Sequence, residues 1–311
     1  MGPTNKRPHL RRGSPLARLE RQWGLLLSGP FIAGLVFFFL GPILVALGLA
    51  FYRWDNLTPP AFVGLANWRR LFADALFWKA LGNTLYFVVG TVPTGVVLSL
   101  VLALLVNVPL RGIGVFRTLY FTPVVTSTVA VALVWTWFYD SNYGVFNFLI
   151  ERACQLVGLP APKGIAWLND PRTAMPAIMA MSVWKGLGYN MVIFLAALQN
   201  VPRELYEAAS IDGANRIRQF WHVTLPGISP VLFFVVVTSL IGSFQVFDQV
   251  YIMARDGRPA NSTLTLVYYL YQNAFRHLDM GYACTIGMAL FTILGVITSF
   301  QMFTQKRWVH V

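Results

Sequence analysis

Charged side chains are scarce in this chain: only 12% of its 311 residues are Asp, Glu, Lys or Arg. A soluble domain of this length carries about twice that fraction, so the composition argues against one. The scarcity is concentrated in long runs with no charged residue, while hydrophobic residues make up 56% of the chain. These runs cover 22–52, 80–110, 118–139, 173–184, 186–202, 219–247 and 280–305. They predict a membrane protein.

Motifs that carry chemistry are also absent. The two cysteines, Cys154 and Cys284, lack the spacing of a metal or redox site. The sequence has no Gly-x-x-x-x-Gly-Lys-Ser/Thr loop to cradle phosphate, no His-Glu-x-x-His and no Ser/His/Asp arrangement. We therefore expect no enzyme activity, no catalytic residue, no metal and no cofactor in this chain. The net charge of +12 is explained by membrane-side basic residues, so no nucleic acid is expected as a partner.

The uncharged runs predict six membrane spans when 173–184 and 186–202 are joined across Lys185. A helix needs roughly 20 apolar residues to cross the hydrocarbon core, and in lipid its backbone must satisfy its own hydrogen bonds. The predicted spans are 25–51, 81–106, 116–138, 174–199, 228–253 and 281–304. The fold class is an all-α membrane protein with six transmembrane helices in the lipid bilayer.

Basic residues set the predicted orientation. With six spans, both termini and the loop 200–227 lie on one side, which holds 13 of the 24 Lys and Arg residues. The opposite loops hold 10 but are long, and long loops weigh little in the positive-inside rule. The basic stretch 1–23 adjoins span one and is too long for a cleavable signal peptide. We therefore place both termini in the cytoplasm of a multi-pass protein of the cytoplasmic (inner) membrane.

Three segments make up the chain: a basic tail 1–23, a membrane domain 24–305 and a short tail 306–311. Among the outer loops, 52–80 predicts a short interfacial helix and 139–173 predicts a helix on the surface. In 254–280, Asp256-Gly257-Arg258-Pro259 predicts a turn followed by an amphipathic segment.

The loop 201–226 is a polar segment between two long apolar runs, and it contains residues typical of helix starts and ends. A helix is predicted over 203–212, with Leu205, Ala208, Ala209 and Ile211 toward one side. Gly213 is a natural stop, and Asn215 can cap a second short helix, 216–223, before Pro226 opens span five. The result is a rigid helix-turn-helix that either docks on a soluble partner or lies at the interface with none.

This loop resembles the EAA loop of binding-protein-dependent ABC importer permeases. Glu207-Ala208-Ala209, Gly213 and Leu225-Pro226 match that pattern in spacing, while Val223 stands where the family has Ile. The resemblance implies a type I ABC importer permease fold for 24–305 and an ATPase-coupling role for the loop. The coupling residues it implies are Glu207, Ala208, Ala209, Asp212, Gly213, Leu225 and Pro226.

The chain is most similar to sugar permeases of the maltose and glycerol-3-phosphate type. Stretches such as Val183-Trp184-Lys185-Gly186 and Ser243-Phe244-Gln245-Val246-Phe247-Asp248 carry that similarity. It implies four kinds of partner: a second permease subunit, two ATP-binding cassette subunits, an extracytoplasmic solute-binding protein and the lipid bilayer. ATP hydrolysis would belong to the partner subunits.

Polar residues inside spans are costly and therefore mark a candidate substrate path. Ser182, Gly186 and Tyr189 recur at i, i+4 and i+7, so they share one helix face. The resemblance to maltose-type permeases implies that this face of span four lines the solute path and that Ser239 and Ser243 of span five correspond to path positions, with Gln245 nearby. The candidate path residues are therefore Ser182, Trp184, Lys185, Gly186, Tyr189, Asn190, Ser239, Ser243, Gln245 and Asp248. Lys185 alternatively forms a structural ion pair with Asp248 or snorkels to water. Trp135, Trp137 and Trp184 either stack on a sugar ring or anchor the chain at the membrane surface.

Three functions remain open from the sequence. The first is an ATP-driven importer permease for a sugar, or for a glycerol-phosphate or glycerophosphodiester solute if Lys185 meets a phosphate. The second is a secondary transporter driven by an ion gradient, with Lys185 and Asp248 as a charge relay. The third, a membrane scaffold, has little support because a scaffold needs no charge in mid-membrane.

Overall fold

The computed structural model describes residues 15–108, 112–160 and 164–305. Most of the predicted basic tail and the whole predicted C-terminal tail lie outside these residues. Within them, the regular secondary structure is helical except for one small ribbon.

Five helices are long and apolar enough to cross a membrane. They run over Gln22–Leu49, Ala75–Val106, Ala174–Asn200, Ser229–Met253 and Met280–Gln305. The first combines α1 (Pro15–Leu35), a π-helical turn (Val36–Leu40) and α2 (Gly41–Leu49). The second, third and fifth are α4, α8 and α15, with the bounds just given. The fourth joins α12 (Ser229–Phe244) and α13 (Asp248–Met253) across a short break. Five predicted spans are thereby confirmed as helical segments.

The predicted continuous helix over 116–138 is wrong. The chain forms α5 (Ile113–Val125) and α6 (Thr128–Phe138), which are bent by 100° at the break between them. Thr126 and Ser127 have extended ψ angles of 142° and 133°, which end the helical backbone. The Thr126 hydroxyl donates to the Thr122 carbonyl at 3.1 Å, a local bond that competes with helical pairing. Within the described ranges the number of candidate spans is five, or six if this bent pair counts as one.

The core is built around α4 and α8, which share the most extensive helix contact. α5 packs on α8, α12 packs on α4, and α6 packs on α13. Phe87, Phe194 and Phe244 are almost fully buried among these helices. In lipid, helices associate through close packing more than through exclusion of water, so small residues at contacts matter. A Cβ on Gly188 of α8 would lie 2.1 Å from the Tyr120 carbonyl oxygen of α5, so this approach requires glycine.

The first long helix stands apart from this core. No residue in its most apolar window is buried, and it meets the rest of the described chain mainly where α2 packs on α15. Its exposed side chains include Phe37, Phe38 and Phe39, each at least 70% exposed. Such a surface requires lipid or another membrane chain as its neighbour.

Short elements join the spans. The expected helices in 52–80 and 139–173 are confirmed as α3 (Ala66–Ala73) and α7 (Val145–Val157). A two-stranded antiparallel ribbon of β1 (Tyr52–Arg53) and β2 (Ala61–Phe62) was not predicted. The expected turn near 256 is a 3-10 turn, Arg255–Gly257, in which Asp256 has a φ of 62°. The amphipathic segment after it forms α14 (Leu266–Tyr271) and a π-helical turn (Gln272–Arg276).

A polar network joins the start of α4 to α14 and α15. The Asp74 carboxylate accepts hydrogen bonds at 2.5 Å from the hydroxyls of Tyr269 and Tyr282. Arg70 pairs with Asp279 at 2.5 Å and lies 3.9 Å above the Tyr282 ring. Burial disfavours ionisation of Asp74, but the hydroxyl bonds from Tyr269 and Tyr282 together with the backbone N–H groups of Leu76 and Phe77 outweigh it and hold its pKa below the usual value. The network therefore fixes this end of the bundle.

Candidate functional site: a polar cleft and a helical loop

A cleft of about 290 Å³ lies between α4, α8 and α12, with one residue from α13. We call it the polar cleft. Its lining consists of Phe87, Thr91, Val92, Gly95, Ser182, Val183, Gly186, Tyr189, Asn190, Thr238, Ser239, Gly242, Ser243 and Gln249. Six of the ten predicted path residues meet here: Ser182, Gly186, Tyr189, Asn190, Ser239 and Ser243.

Side-chain hydrogen bonds cross between the helices of the cleft wall. Thr91 donates to Ser243 at 3.4 Å, which links α4 to α12. Asn190 donates to Ser239 at 3.4 Å, which links α8 to α12. Gln249 donates to Ser182 at 3.3 Å, which links α13 to α8. These bonds are long, so the groups that make them can exchange partners with hydroxyls of a bound molecule.

The cleft lining carries no formal charge, since it contains only hydroxyl, amide, aromatic, aliphatic and glycine residues. Lys185 and Asp248 do not line it. They also form no ion pair with each other within the described residues, so the alternative of a structural ion pair between them is not found. The ion pairs among the described residues are Arg70–Asp279 and Arg276–Asp256. Asp248 and Gln245 are exposed. A neutral lining with donors and acceptors suits an uncharged hydroxylated molecule.

The tryptophans lie elsewhere. Trp135 and Trp184 pack with ring centroids 5.4 Å apart in an apolar cavity of about 730 Å³ at the bend between α5 and α6. Trp137 is 72% exposed. None of these three lines the polar cleft, so their stacking on a sugar ring stays a prediction without geometric support.

The contribution of α4 was missed by the sequence reasoning. Phe87, Thr91 and Gly95 recur at i, i+4 and i+8 on that helix and line the cleft. Thr238 of α12 and Gln249 of α13 also line the cleft and were not predicted. A signal was present, because Thr91 is a polar residue in a long apolar run. Applying the polar-in-span criterion to α4 as well as α8 would have found it.

The predicted loop forms the helices expected of it. α9 (Arg203–Ile211) ends where Gly213 adopts a φ of 78°. The Ala214 amide donates to the Ala209 carbonyl at 2.9 Å and the Gly213 amide to the Ser210 carbonyl at 3.1 Å, a Schellman motif. Gly213 therefore supplies the left-handed residue that lets the chain reverse.

The second half of the loop is capped as predicted. The Asn215 side chain accepts from the Arg218 amide at 2.9 Å and starts α10 (Arg216–Gln219). The expected helix to 223 is instead completed by a π-helical turn (Phe220–Thr224) before α11 (Leu225–Gly227). Gln219 donates to Ser210 at 2.9 Å, and Tyr206 and Thr224 share a 3.0 Å hydrogen bond. These bonds, which the sequence did not reveal, tie the two halves together.

The outward face of the loop carries acidic, basic and apolar side chains, the basic ones being Arg203, Arg216 and Arg218. Glu207, Ala208 and Asp212 are exposed, while Ala209, Leu225 and Pro226 are partly buried. Of the residues predicted toward one side of the helix, Leu205, Ala208 and Ile211 are exposed, Ile211 at 87%, and only Ala209 is partly buried, so that side is not part of the core. The exposed apolar residues of this face are Leu205, Ile211, Ile217 and Trp221. Val223, where the family pattern has Ile, packs against the core. Such a face offers both charge and apolar area for docking.

Known proteins are similar to this chain over most of its length. The family model described as binding-protein-dependent transport system inner membrane component matches residues 95–306. The lactose transport system permease protein LacF of Rhizobium radiobacter is 39% identical over 94% of this chain and 97% of its own. The arabinooligosaccharides transport system permease protein AraP of Bacillus subtilis is 34% identical over 88% of this chain and 85% of its own.

Solved structures show the same fold. A bacterial ABC transporter involved in the import of the acidic polysaccharide alginate aligns with a TM-score of 0.79 and 23% identity. The alignment covers 94% of this chain and 99% of that chain. The fold is thus that of a type I ABC importer permease, and the protein is a multi-pass membrane protein. The family match and the relatives together show that this chain belongs to the binding-protein-dependent transport system inner membrane component family.

Proposed function

We propose that the chain is a permease subunit of an ATP-driven importer and that a neutral sugar or oligosaccharide passes along the polar cleft. The observation that carries the proposal is the uncharged, hydrogen-bonding lining between α4, α8 and α12. The names of relatives at 34–39% identity, which transport lactose and arabinooligosaccharides, support a carbohydrate.

The chemistry of the cleft favours a neutral solute over a phosphorylated one. A phosphate group needs cationic or multiple N–H donors, and the lining offers hydroxyls, two amides and one phenol. Sugar hydroxyls can donate and accept, as can Ser, Thr and Asn side chains. Lys185 stands outside this lining, so the phosphate alternative loses the contact on which it depended.

A second permease subunit would complete the path. The cleft volume of about 290 Å³ lies at the lower limit of small-molecule sites, which span roughly 300–1,000 Å³. The exposed apolar surface of the first long helix likewise offers a neighbour for another membrane chain. An extracytoplasmic binding protein would deliver the sugar; a bacterial alginate ABC transporter of related fold has been solved in complex with an alginate pentasaccharide-bound periplasmic protein.

Energy would enter at the helical loop. The sequence has no phosphate-cradling loop, so ATP hydrolysis is assigned to two partner ATPase subunits and this chain is no enzyme. We place the loop and both termini in the cytoplasm. Glu207 and Asp212 would meet basic groups of an ATPase, and Ile211 would fill an apolar hollow.

The proposal is tested by reconstituting the chain with its ATPase, second permease and binding protein in proteoliposomes and measuring uptake of labelled sugar. ATP-dependent uptake that requires the binding protein is expected. Uptake by this chain alone under a proton or sodium gradient would instead establish the secondary-transporter alternative.

A further inference from the structure

A second polar cavity, lined by none of the cleft residues, lies where the loop meets α4, α5 and α8. Its volume is about 560 Å³. We call it the arginine pocket. It is lined by Asn107, Val108, Arg117, Leu198, Gln199, Val201, Arg203 and Tyr206. Among the described residues, two arginines and no acidic residue contribute to this lining, so these residues give it a formal charge of +2.

Neither arginine has an acidic partner within the described residues, where the ion pairs are Arg70–Asp279 and Arg276–Asp256. Arg117 donates from Nη2 to the Val106 carbonyl at 2.9 Å, which caps the end of α4. Its Nε is shielded from solvent and has no hydrogen-bond partner among the residues that the structure describes. Capping alone therefore leaves part of the guanidinium unsatisfied, and an unsatisfied buried donor is costly.

The start of α9 adds to the positive potential. Pro202 precedes the helix and no side chain caps it, so the helix begins beside the pocket with its positive dipole end uncapped. Glu204 in the first turn offsets part of this charge but does not line the pocket. Asn107, Gln199 and Tyr206 supply neutral polar groups. This combination is suited to an anion with several oxygens.

We propose that the arginine pocket binds the phosphate group of a molecule with net negative charge, held by Arg117 and Arg203. Guanidinium groups bind phosphate oxygens with charge-assisted hydrogen bonds. Basic pockets between membrane helices accommodate anionic lipid headgroups, and a soluble phosphate compound carries the same chemistry. The occupant would rest against the first turn of α9 and so influence how firmly the loop is held. The site is separate from the proposed sugar path, and its existence does not depend on that path.

Lipid binding to the full chain, purified in neutral detergent, tests the site by native mass spectrometry. Phosphatidylglycerol should bind at least about tenfold more tightly than phosphatidylcholine of equal acyl chains. Arg203→Gln should remove that preference, whereas Arg218→Gln, a neighbouring arginine outside the pocket, should keep it. Arg117→Gln would also remove the hydrogen bond that caps α4 and could destabilise the protein, so Arg203→Gln is the decisive variant.

Competition with inorganic phosphate identifies the source of the group. Displacement of the lipid at millimolar phosphate assigns the pocket to a soluble phosphate compound, and no displacement assigns it to the headgroup. Equal binding of the two lipids, or equal loss in Arg203→Gln and Arg218→Gln, overturns the proposal. Loss of ATPase-subunit copurification in Arg203→Gln with unchanged lipid preference also overturns it, because the pocket would then be a protein contact.

Discussion

The Nε2 atom of Gln249 lies 3.3 Å from the Oγ atom of Ser182, which joins α13 to α8 in the wall of the polar cleft. Gln249 follows the break that separates α12 from α13. The two side chains are 67 residues apart in sequence, and both present exchangeable hydrogen-bonding groups to the cleft. A sugar hydroxyl that replaced this contact would bind at the junction of two helices.

Replacing Gln249 with leucine should weaken sugar uptake. A lost hydrogen bond costs about 0.5–1.5 kcal/mol, so KM for transport should rise about two- to tenfold. Gln245→Leu is the matched control, since Gln245 is exposed and does not line the cleft. Equal effects of the two variants in an uptake assay would argue against a specific role for Gln249.

The Lys185→Met variant tests whether the transported solute is a neutral sugar or a phosphorylated compound. Because Lys185 does not line the cleft, uptake of a neutral sugar should stay within about twofold of the unmodified protein. Uptake kinetics measured on a neutral disaccharide and on glycerol phosphate supply the test. A tenfold loss would restore Lys185 to the path and favour the phosphate alternative.

Gly213 should be essential to coupling because of its backbone conformation. Gly213→Ala places a Cβ at a φ of 78°, at a cost of about 1–2 kcal/mol, and should loosen the reversal between α9 and α10. Gly213→Asn tolerates this conformation and should restore function. We expect the alanine variant to hydrolyse ATP with reduced uptake per ATP in the assembled transporter. Normal uptake per ATP in Gly213→Ala would remove the loop from coupling.

Gly188→Ala should destabilise the bundle. The new Cβ would meet the Tyr120 carbonyl oxygen at 2.1 Å, so α5 must move away from α8. Overpacking of this kind costs about 1–3 kcal/mol. Gly82→Ala on α4 is the control, since nothing lies within 4 Å of its Cβ position. Thermal unfolding in detergent should show a lower midpoint for Gly188→Ala alone.

The network around Asp74 should make stability depend on pH at both extremes. The lowered pKa of Asp74 means that its contribution is complete above the ordinary value of 3.8 and is lost as pH falls through the folded-state pKa. Burial and the Asp74 carboxylate raise the pKa of Tyr269 to about 12, so its contribution is present below the ordinary value of 10.0 and is lost as pH rises toward 12. Thermal unfolding across pH should show both losses.

Asp74→Asn is the control for that pH dependence. It removes the titrating carboxylate, so the acid loss should shrink relative to the unmodified protein. If the variant lost as much thermal stability at low pH as the unmodified protein, that loss would have to come from other carboxylates.

Local signals predicted much of this molecule. The long runs without charged residues predicted five helical spans. Gly213 and Asn215 predicted the turn and the helix cap of the loop, because each residue acts on backbone within a few positions of itself. The break at Thr126–Ser127 was missed because a proline and several hydroxyl residues are also compatible with a continuous membrane helix. The β1–β2 ribbon is too short to leave a pattern.

The cleft was only half predictable. Ser182, Gly186 and Tyr189 share a face by helical period, so one helix could be assigned from sequence. Which faces of α4 and α12 meet that helix depends on packing between distant segments, such as the Asn190–Ser239 contact between α8 and α12. Lys185 stood out as a charged residue in a span, yet it does not line the cleft. Neighbouring helix residues point about 100° apart, so Lys185 can lie outside a lining that includes Gly186.

Thiol labelling in the cleft tests the sugar path most directly. In a chain whose free Cys154 and Cys284 are replaced by serine, Ser239→Cys places a thiol in the cleft, and Thr292→Cys places one on the exposed surface of α15. In the assembled transporter with binding protein and ATP, a transported neutral sugar should slow labelling of Ser239→Cys and leave Thr292→Cys unchanged. Equal labelling rates of Ser239→Cys with and without sugar would contradict the account.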